Sequence, residues 1–195
     1  MEEKVIRAGG NVQSGLKARQ LTYIALFTAL IAVGAFIRIP VPVVPFTLQF
    51  LFTMLAGLFL GGKNGAVCVA VYTVLGLIGL PIFAEGGGIG YLIKPSFGYI
   101  LGFCAASYVT GKLAQRLTTV TFKKLLFCNL IGLFIVYGMG IVYYYVICNY
   151  VTATPIGLWP LFLYCFLLAV PGDICLCILA AVLTQRLQPV INRMR

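Results

Sequence analysis

The chain has 195 residues, of which 62% are hydrophobic and only 9% are charged, and its mean hydropathy is +1.05. A soluble domain is about 45–50% apolar and about 25% charged, so most of this chain needs lipid rather than water as its solvent. With no histidine and only four acidic residues, the composition argues against most hydrolytic, acid–base and metal chemistry. We therefore expect one integral membrane domain that uses no cofactor and no metal.

The apolar stretches predict an all-α membrane protein with six transmembrane helices. A polar segment, residues 1–20, comes first, and no cleavable signal peptide is expected in it. The membrane domain is predicted over residues 21–186, followed by a basic tail at 187–195. A span needs about 20 apolar residues. The six candidates are residues 21–37, 46–60 (with the proline-rich residues 41–45 as an extension), 66–80, 97–111, 125–150 and 161–183.

The basic residues predict the orientation of these spans. With six spans, both termini share one side of the membrane with the loops after spans two and four. Twelve of the 14 lysines and arginines fall on that side, and the other side holds only Arg38 and Lys94. This bias predicts cytoplasmic termini in the plasma membrane. The net charge of +10 is thus interpreted as a topology signal and an attraction to anionic lipid, not as a nucleic-acid site.

A glycine-rich segment, FAEGGGIGYLIKPSFGY at residues 83–99, interrupts the apolar pattern between spans three and four. Glycines such as Gly86 and Gly88 allow a backbone to approach a ligand closely, and tyrosines supply flat walls. Lys94 adds a positive charge on a side that has few. A plain flexible linker would not need Tyr91 or Tyr99, so the composition favours a lid over a ligand.

Asp173 is the only acidic residue inside a predicted span, in the sequence VPGD at 170–173. An ionisable group at that depth is costly and is typical of a functional site. A structural ion pair or a hydrogen bond between helices is the alternative. A carboxylate here would accept hydrogen bonds from the N–H groups of a neutral ureido or amide ligand.

Small residues mark one face of the first span. Ala25 and Ala29 are four residues apart, and Ala32 and Ala35 are expected nearby on the same side. Such spacing allows another helix to approach closely, either within this chain or on a partner. In span five, the tyrosines 143–145 either line a cavity or form an aromatic belt.

Three blocks of the sequence resemble the BioY family, the biotin-binding S components of energy-coupling factor (ECF) vitamin transporters. They are PFTLQFLFTMLAGLFLGGKNGA at 45–66, YTVLGLIGLPIFAEGGGIGYLIKPSFGYILGF at 72–103 and VPGD at 170–173. The resemblance implies a six-helix S-component fold with a biotin pocket capped by the segment between spans three and four. It also implies an ECF transmembrane coupling subunit, docked on Ala25 and Ala29, and two ATPase subunits.

The resemblance further implies roles for individual residues. Asp173 would meet the ureido group of biotin, Lys94 or glycine N–H groups would meet its carboxylate, and tyrosines would pack its rings. Many family members carry a lysine three residues after this aspartate, where this chain has Leu176, so that contact is absent here. The predicted substrate-binding residues are Asp173, Lys94, Tyr91, Tyr99, Ser96, Gly86, Gly88 and Gln49.

Three other functions stay open on the sequence. An S component for a different small vitamin would have the same architecture. A membrane enzyme would have to work without histidine, with a single acid inside its spans. A structural or channel-like helical protein would show no saturable ligand binding.

Overall fold

The computed structural model of the protein describes residues 2–39, 46–152, 156–163, 167, 169–189 and 191. The proline-rich residues 41–45 and the last four residues of the predicted basic tail lie outside this set. The described chain is mostly helical, with one short antiparallel ribbon. Its elements in chain order are α1 (Glu2–Phe36), β1 (Arg38–Ile39), β2 (Phe46–Thr47), α2 (Gln49–Leu60), α3 (Gly62–Leu77), a 3₁₀ helix (Ile89–Ile93), α4 (Phe97–Gln115), α5 (Phe122–Val146), a π-helix (Ile147–Val151), α6 (Leu158–Phe162) and α7 (Val170–Arg186).

Helix α2 is the centre of the bundle. It packs against α1, α3, α4 and α7, while α5 packs against α4 and α7. All of its 12 residues except Phe52 are buried. A helix that is apolar on every side is stable only when it is surrounded, which matches this position.

The helix lengths differ from those of six uniform spans. Two helical stretches, Ala18–Phe36 and Phe122–Val151, are long and apolar enough to cross a bilayer by length and composition. Gln49–Leu60 and Gly62–Leu77 are apolar but shorter. At about 1.5 Å per residue, α2 is about 18 Å long, whereas the hydrocarbon core is about 30 Å thick. Its protein neighbours, rather than its length, shield its ends from lipid.

The connection between α2 and α3 is a single residue, Gly61. Its φ of 83° is a left-handed conformation that glycine adopts without strain. Helix α3 therefore begins at Gly62, four residues before the start predicted from hydropathy. The predicted last span, residues 161–183, covers the end of α6 and most of α7. Helix α7 has Pro171 in its first turn, where a missing N–H costs little.

Apolar side chains also cover the outside of the bundle. Phe134 on α5 is 79% exposed and Leu21 on α1 is 67% exposed. Large exposed apolar surfaces mark contacts with a membrane or a partner. This pattern agrees with the composition, because the chain has more apolar surface than its own interior can bury.

The ribbon departs from the all-α prediction. Arg38 pairs with Thr47 and Ile39 with Phe46 in antiparallel register. The chain leaves α1 and enters α2 through this ribbon, so the backbone groups at both helix ends find partners. The ribbon thereby holds Phe46 and Thr47 beside the start of α2.

Candidate functional site

A cavity lies where the ribbon, the 83–99 segment and the starts of α2, α4 and α7 meet. Three helix N-termini at one place favour a negative or hydrogen-bond-accepting group, and Asp173 in the first turn of α7 is such a group. The cavity has a volume of about 70 Å³, below the about 300–1,000 Å³ typical of small-molecule sites. A ligand of vitamin size therefore requires the walls to move apart. The lining residues are Phe46, Thr47, Gln49, Phe50, Ala84, Tyr91, Ser96, Tyr99, Ile100, Phe103, Val136, Tyr137, Ala169 and Asp173.

The 83–99 segment folds through two of its glycines. Phe83 and Gly86 exchange backbone hydrogen bonds of 2.9 and 3.2 Å, and the Gly88 N–H donates to the Gly76 carbonyl at 2.7 Å. Gly86 and Gly88 have φ values of 113° and 98°, a region that side chains disfavour. Neither glycine lines the cavity, and both of their N–H groups are used within the protein. These two glycines shape the turn instead of presenting N–H groups to a ligand.

Aromatic rings anchor this segment to the helices below it. The Phe83 ring lies 5.3 Å from that of Tyr72 on α3 and 4.5 Å from that of Tyr91. The Tyr91 ring in turn lies 6.5 Å from that of Phe97 on α4. Phe83 is only 1% exposed. The segment is therefore a packed cover over the cavity and not a loose linker.

Tyr91 and Ser96 are two of the four cover residues that line the cavity, the others being Ala84 and Tyr99. The Ser96 Oγ lies 3.4 Å from the Tyr91 hydroxyl. Burial raises the pKa of Tyr91, so its hydroxyl keeps its proton at neutral pH. Since the Ser96 hydroxyl donates to the Tyr91 oxygen, the Tyr91 hydroxyl is the one of the pair that can donate a hydrogen bond to a ligand.

Asp173 lines the opposite part of the cavity, in the first turn of α7. The Tyr137 hydroxyl on α5 donates to its Oδ2 at 2.5 Å, and Asp173 is 9% exposed. Leu176, three residues later, is buried in the apolar core. Tyr137 thus orients the Asp173 carboxyl group, whose remaining oxygen lone pairs can accept N–H groups from a ligand.

Gln49, the first residue of α2, adds a second polar group to the wall. It is 4% exposed, and among the described residues its Nε2 has no hydrogen-bond partner. The Tyr72 oxygen lies near enough to act as a weak acceptor for the Gln49 amide, while the Tyr72 hydroxyl itself donates to the Ile82 carbonyl at 3.1 Å. A buried donor whose acceptor is this weak is poorly satisfied, which is typical of a group kept for a ligand.

Lys94 is not among the residues that line the cavity. Its Nζ lies 3.3 Å from Oε2 of Glu85 and 3.0 Å from the Glu85 carbonyl oxygen. It also lies 5.0 Å from the centre of the Tyr91 ring. Both side chains of the ion pair are about 40% exposed, so the pair contributes little to stability. Lys94 fastens the cover from outside.

Comparison of the whole sequence with known protein families identifies the family. The model of the BioY family matches residues 7–193. The chain belongs to the BioY family. A relative from Lysinibacillus sphaericus, named as a probable biotin transporter BioY, is 45% identical over 175 residues, covering 90% of this chain and 89% of the relative. A biotin transporter BioY from Thermotoga maritima is 44% identical over 124 residues, covering 63% of this chain and 72% of the relative.

A solved structure shares the fold of this BioY family member. It is a crystal structure of the S-component for biotin from an ECF-type ABC transporter. The two superpose with a TM-score of 0.76 at 30% sequence identity, over 89% of this chain and 92% of that one. The S-component fold expected from the sequence is therefore confirmed.

The BioY chain brings together five of the eight predicted binding residues, with Lys94, Gly86 and Gly88 outside the cavity wall. Sequence reasoning missed Tyr137, the partner of Asp173. Sequence reasoning singled out the tyrosines 143–145 on α5 instead. None of them lines the cavity, and the Tyr143 hydroxyl donates to the Leu92 carbonyl, which supports the cover. The five predicted residues that do line the cavity are Asp173, Tyr91, Tyr99, Ser96 and Gln49.

The small-residue face of α1 is narrower than predicted. Ala25 and Ala29 are exposed, but Ala32 packs against the core and Ala35 is 0% exposed. The prediction that all four alanines share a side is wrong, because six residues turn the helix by about 600° and so separate Ala35 from Ala29 by about 120°. Ala25 and Ala29 alone form an exposed pair on the surface.

Proposed function

We propose that this chain is the biotin-binding membrane subunit of an ECF-type uptake system. The observation that carries the proposal is the buried Asp173–Tyr137 pair in a cavity covered by the 83–99 segment, in a chain of the BioY family. Of the two relatives, one is a probable biotin transporter and the other a biotin transporter, and the matched structure is that of an S-component for biotin. The chain binds and releases its ligand without covalent chemistry.

Different parts of the cavity wall would contact the ureido group and the apolar rings of biotin. Asp173 accepts the N–H groups of the ureido ring, and Gln49 lies in the same wall as a further polar partner. Tyr91, Tyr99 and Ser96 cover the apolar rings and contribute hydroxyl groups. A small-molecule site of this kind combines mainly apolar walls with a few placed polar groups.

The membrane arrangement that we propose has six spans with both termini in the cytoplasm. It rests on the distribution of the 14 basic residues, of which only Arg38 and Lys94 fall on the external side. Arg38 and Lys94 both lie at the cavity end of the bundle, so the ligand enters from outside the cell. The domain limits remain residues 21–186 for the membrane domain, with polar segments before and after it.

Transport requires partners that supply energy. We propose an ECF transmembrane coupling subunit, docked on the exposed Ala25 and Ala29, and two ATPase subunits. Replacing both alanines by tryptophan should abolish biotin uptake in cells that contain the partners while leaving biotin binding in detergent intact. Loss of binding as well would assign the alanines to internal packing.

Titration of the purified protein with biotin in detergent tests the central proposal. Saturable binding of biotin, with weaker binding of desthiobiotin, thiamine and riboflavin, is expected. Saturable binding of thiamine or riboflavin alone would favour an S component for that other vitamin. A lack of binding by all four ligands would contradict the assignment to vitamin uptake.

A further inference from the structure

Arg38 lies at the rim of the cavity and touches two parts of its wall. Its backbone pairs with Thr47 in the ribbon, and its Nη1 donates a hydrogen bond to the Ala84 carbonyl in the 83–99 segment. Thr47 and Ala84 both line the cavity. The guanidinium therefore bridges the ribbon and the cover, next to the space where a ligand would lie.

The charge of Arg38 is not neutralised within the described part of the chain. Lys94, the other cation on this side, is paired with Glu85. Arg38 has no ion pair there, and its one hydrogen bond to Ala84 leaves further N–H donors, because a guanidinium has five. Its positive charge also acts on the Tyr91 hydroxyl inside the cavity wall. Arg38, like Lys94, is not itself a lining residue, but it contacts two residues that are, and unlike Lys94 it has no ion pair within the described residues.

The wall around Asp173 is unsuited to a second carboxylate. Asp173 has only the Tyr137 hydroxyl as its side-chain partner, and Leu176 supplies no positive charge. A ligand carboxylate placed there would find no cation among the described residues that line the cavity, whereas one at the rim would meet the guanidinium. Arginine also binds a carboxylate through two parallel N–H bonds, which lysine cannot do.

We propose that Arg38, and not Lys94, binds the carboxylate of the ligand at the rim of the cavity. The assignment rests on the proposed function, since it takes biotin as a ligand with a ureido group at one end and a carboxylate at the other. The same side chain then links the ligand, the ribbon and the cover, so that the bound ligand strengthens the closure of the cavity.

The test compares biotin with biotinamide, which has the same shape and no charge, by calorimetric titration in detergent. Arg38→Gln should lose about 10- to 100-fold in affinity for biotin and less than about threefold for biotinamide. Arg38→Lys should lose an intermediate amount of affinity for biotin and none for biotinamide, because lysine keeps the positive charge but not the two parallel N–H donors. Increasing salt should weaken biotin binding to the wild type more than to Arg38→Gln.

Two further variants complete the design. Arg116→Gln makes the same change at an exposed arginine that caps the other end of α4, and it should leave both affinities unchanged. Thermal unfolding in detergent shows whether each variant is folded, and if Arg38→Gln is not, the comparison rests on Arg38→Lys. Lys94→Gln tests the competing cation directly.

Equal losses for biotin and biotinamide in the Arg38 variants would overturn the assignment and leave Arg38 as a fastener of the cover. Unchanged affinities, or a loss selective for biotin in Lys94→Gln alone, would also overturn it. A wild-type protein that binds neither ligand would overturn the proposed function itself, and the assignment with it. The two failures are therefore distinguishable.

Discussion

The two ends of helix α2 differ in what surrounds them. At its start, Gln49 and Phe50 face the cavity, together with several aromatic side chains. Two turns later, Gly57 lies against α3 and α4 with almost no space between backbones. A Cβ added at Gly65 would lie 2.6 Å from Gly57 Cα, and one added at Gly111 would lie 2.5 Å from the Gly57 carbonyl oxygen. We refer to Gly57, Gly62, Gly65 and Gly111 as the glycine end.

This difference shows how one bundle combines a rigid base with a cavity that can open. Glycines allow helix backbones to touch, so the glycine end leaves no room for a side chain, let alone a ligand. At the other end, the rings of Phe103 and Tyr99 on α4 line the cavity together with a few polar groups. Variants at the glycine end should therefore change stability, whereas variants at the cavity should change binding.

The largest effect is expected for Gly111→Ala. The added methyl group collides with backbone atoms of Gly57 and Gly62, which cannot move without separating α2, α3 and α4. Overpacking of this kind costs about 2–3 kcal/mol, equivalent to a fall in Tm of roughly 5–10 °C for a chain of this size. Thermal unfolding of the purified protein in detergent measures it.

Gly138→Ala on α5 is the matched control for Gly111→Ala, because nothing lies within 4 Å of the added Cβ. Its Tm should stay the same or rise, since alanine favours a helix more than glycine does. If both variants lost the same stability, the close approach of backbones at the glycine end would not be what limits the fold.

The next largest effect is expected for Asp173→Ala. It removes the carboxylate and leaves the Tyr137 hydroxyl without its acceptor, so biotin affinity should fall at least about tenfold. The measurement is titration with biotin in detergent. Ser107→Ala, which removes a buried hydroxyl beside the glycine end, should leave the affinity unchanged. Unchanged affinity for Asp173→Ala would remove Asp173 from the binding site.

Much of this contrast could be predicted from the sequence where the signal is local. Hydropathy locates the apolar helices, and a lone acid within them points to Asp173. The glycines and tyrosines of residues 83–99 identify the cover. These signals depend on the chemistry of single residues or short runs, so they can be read without knowing which distant residues come into contact.

The remaining features depend on contacts between residues that are distant along the chain. Tyr137 and Asp173 are 36 residues apart, and Arg38 and Ala84 are 46 apart. Nothing in the local sequence of either residue indicates its partner. Lys94 illustrates the same limit. Its charge suggested a contact with a ligand, but in the folded chain it forms an ion pair with the nearby Glu85. Gly86 and Gly88 likewise serve the turn, which their composition alone could not distinguish from a ligand contact.

The smallest effect, and the most specific test of the contrast, is expected for Gln49→Leu. The amide Nε2 is buried with no hydrogen bond of normal geometry among the described residues, so an apolar side chain of similar size should raise the stability of the ligand-free protein by about 1 kcal/mol. The same change removes a polar partner of the ligand and should weaken biotin binding by about three- to tenfold. Stability and affinity would thus move in opposite directions, as measured by thermal unfolding and by titration of one preparation.

If Gln49 had only a structural role, Gln49→Leu would lower the stability of the protein, since the amide would then have been contributing to the fold. An increase in Tm with unchanged affinity would show instead that Gln49 faces the cavity without touching the ligand.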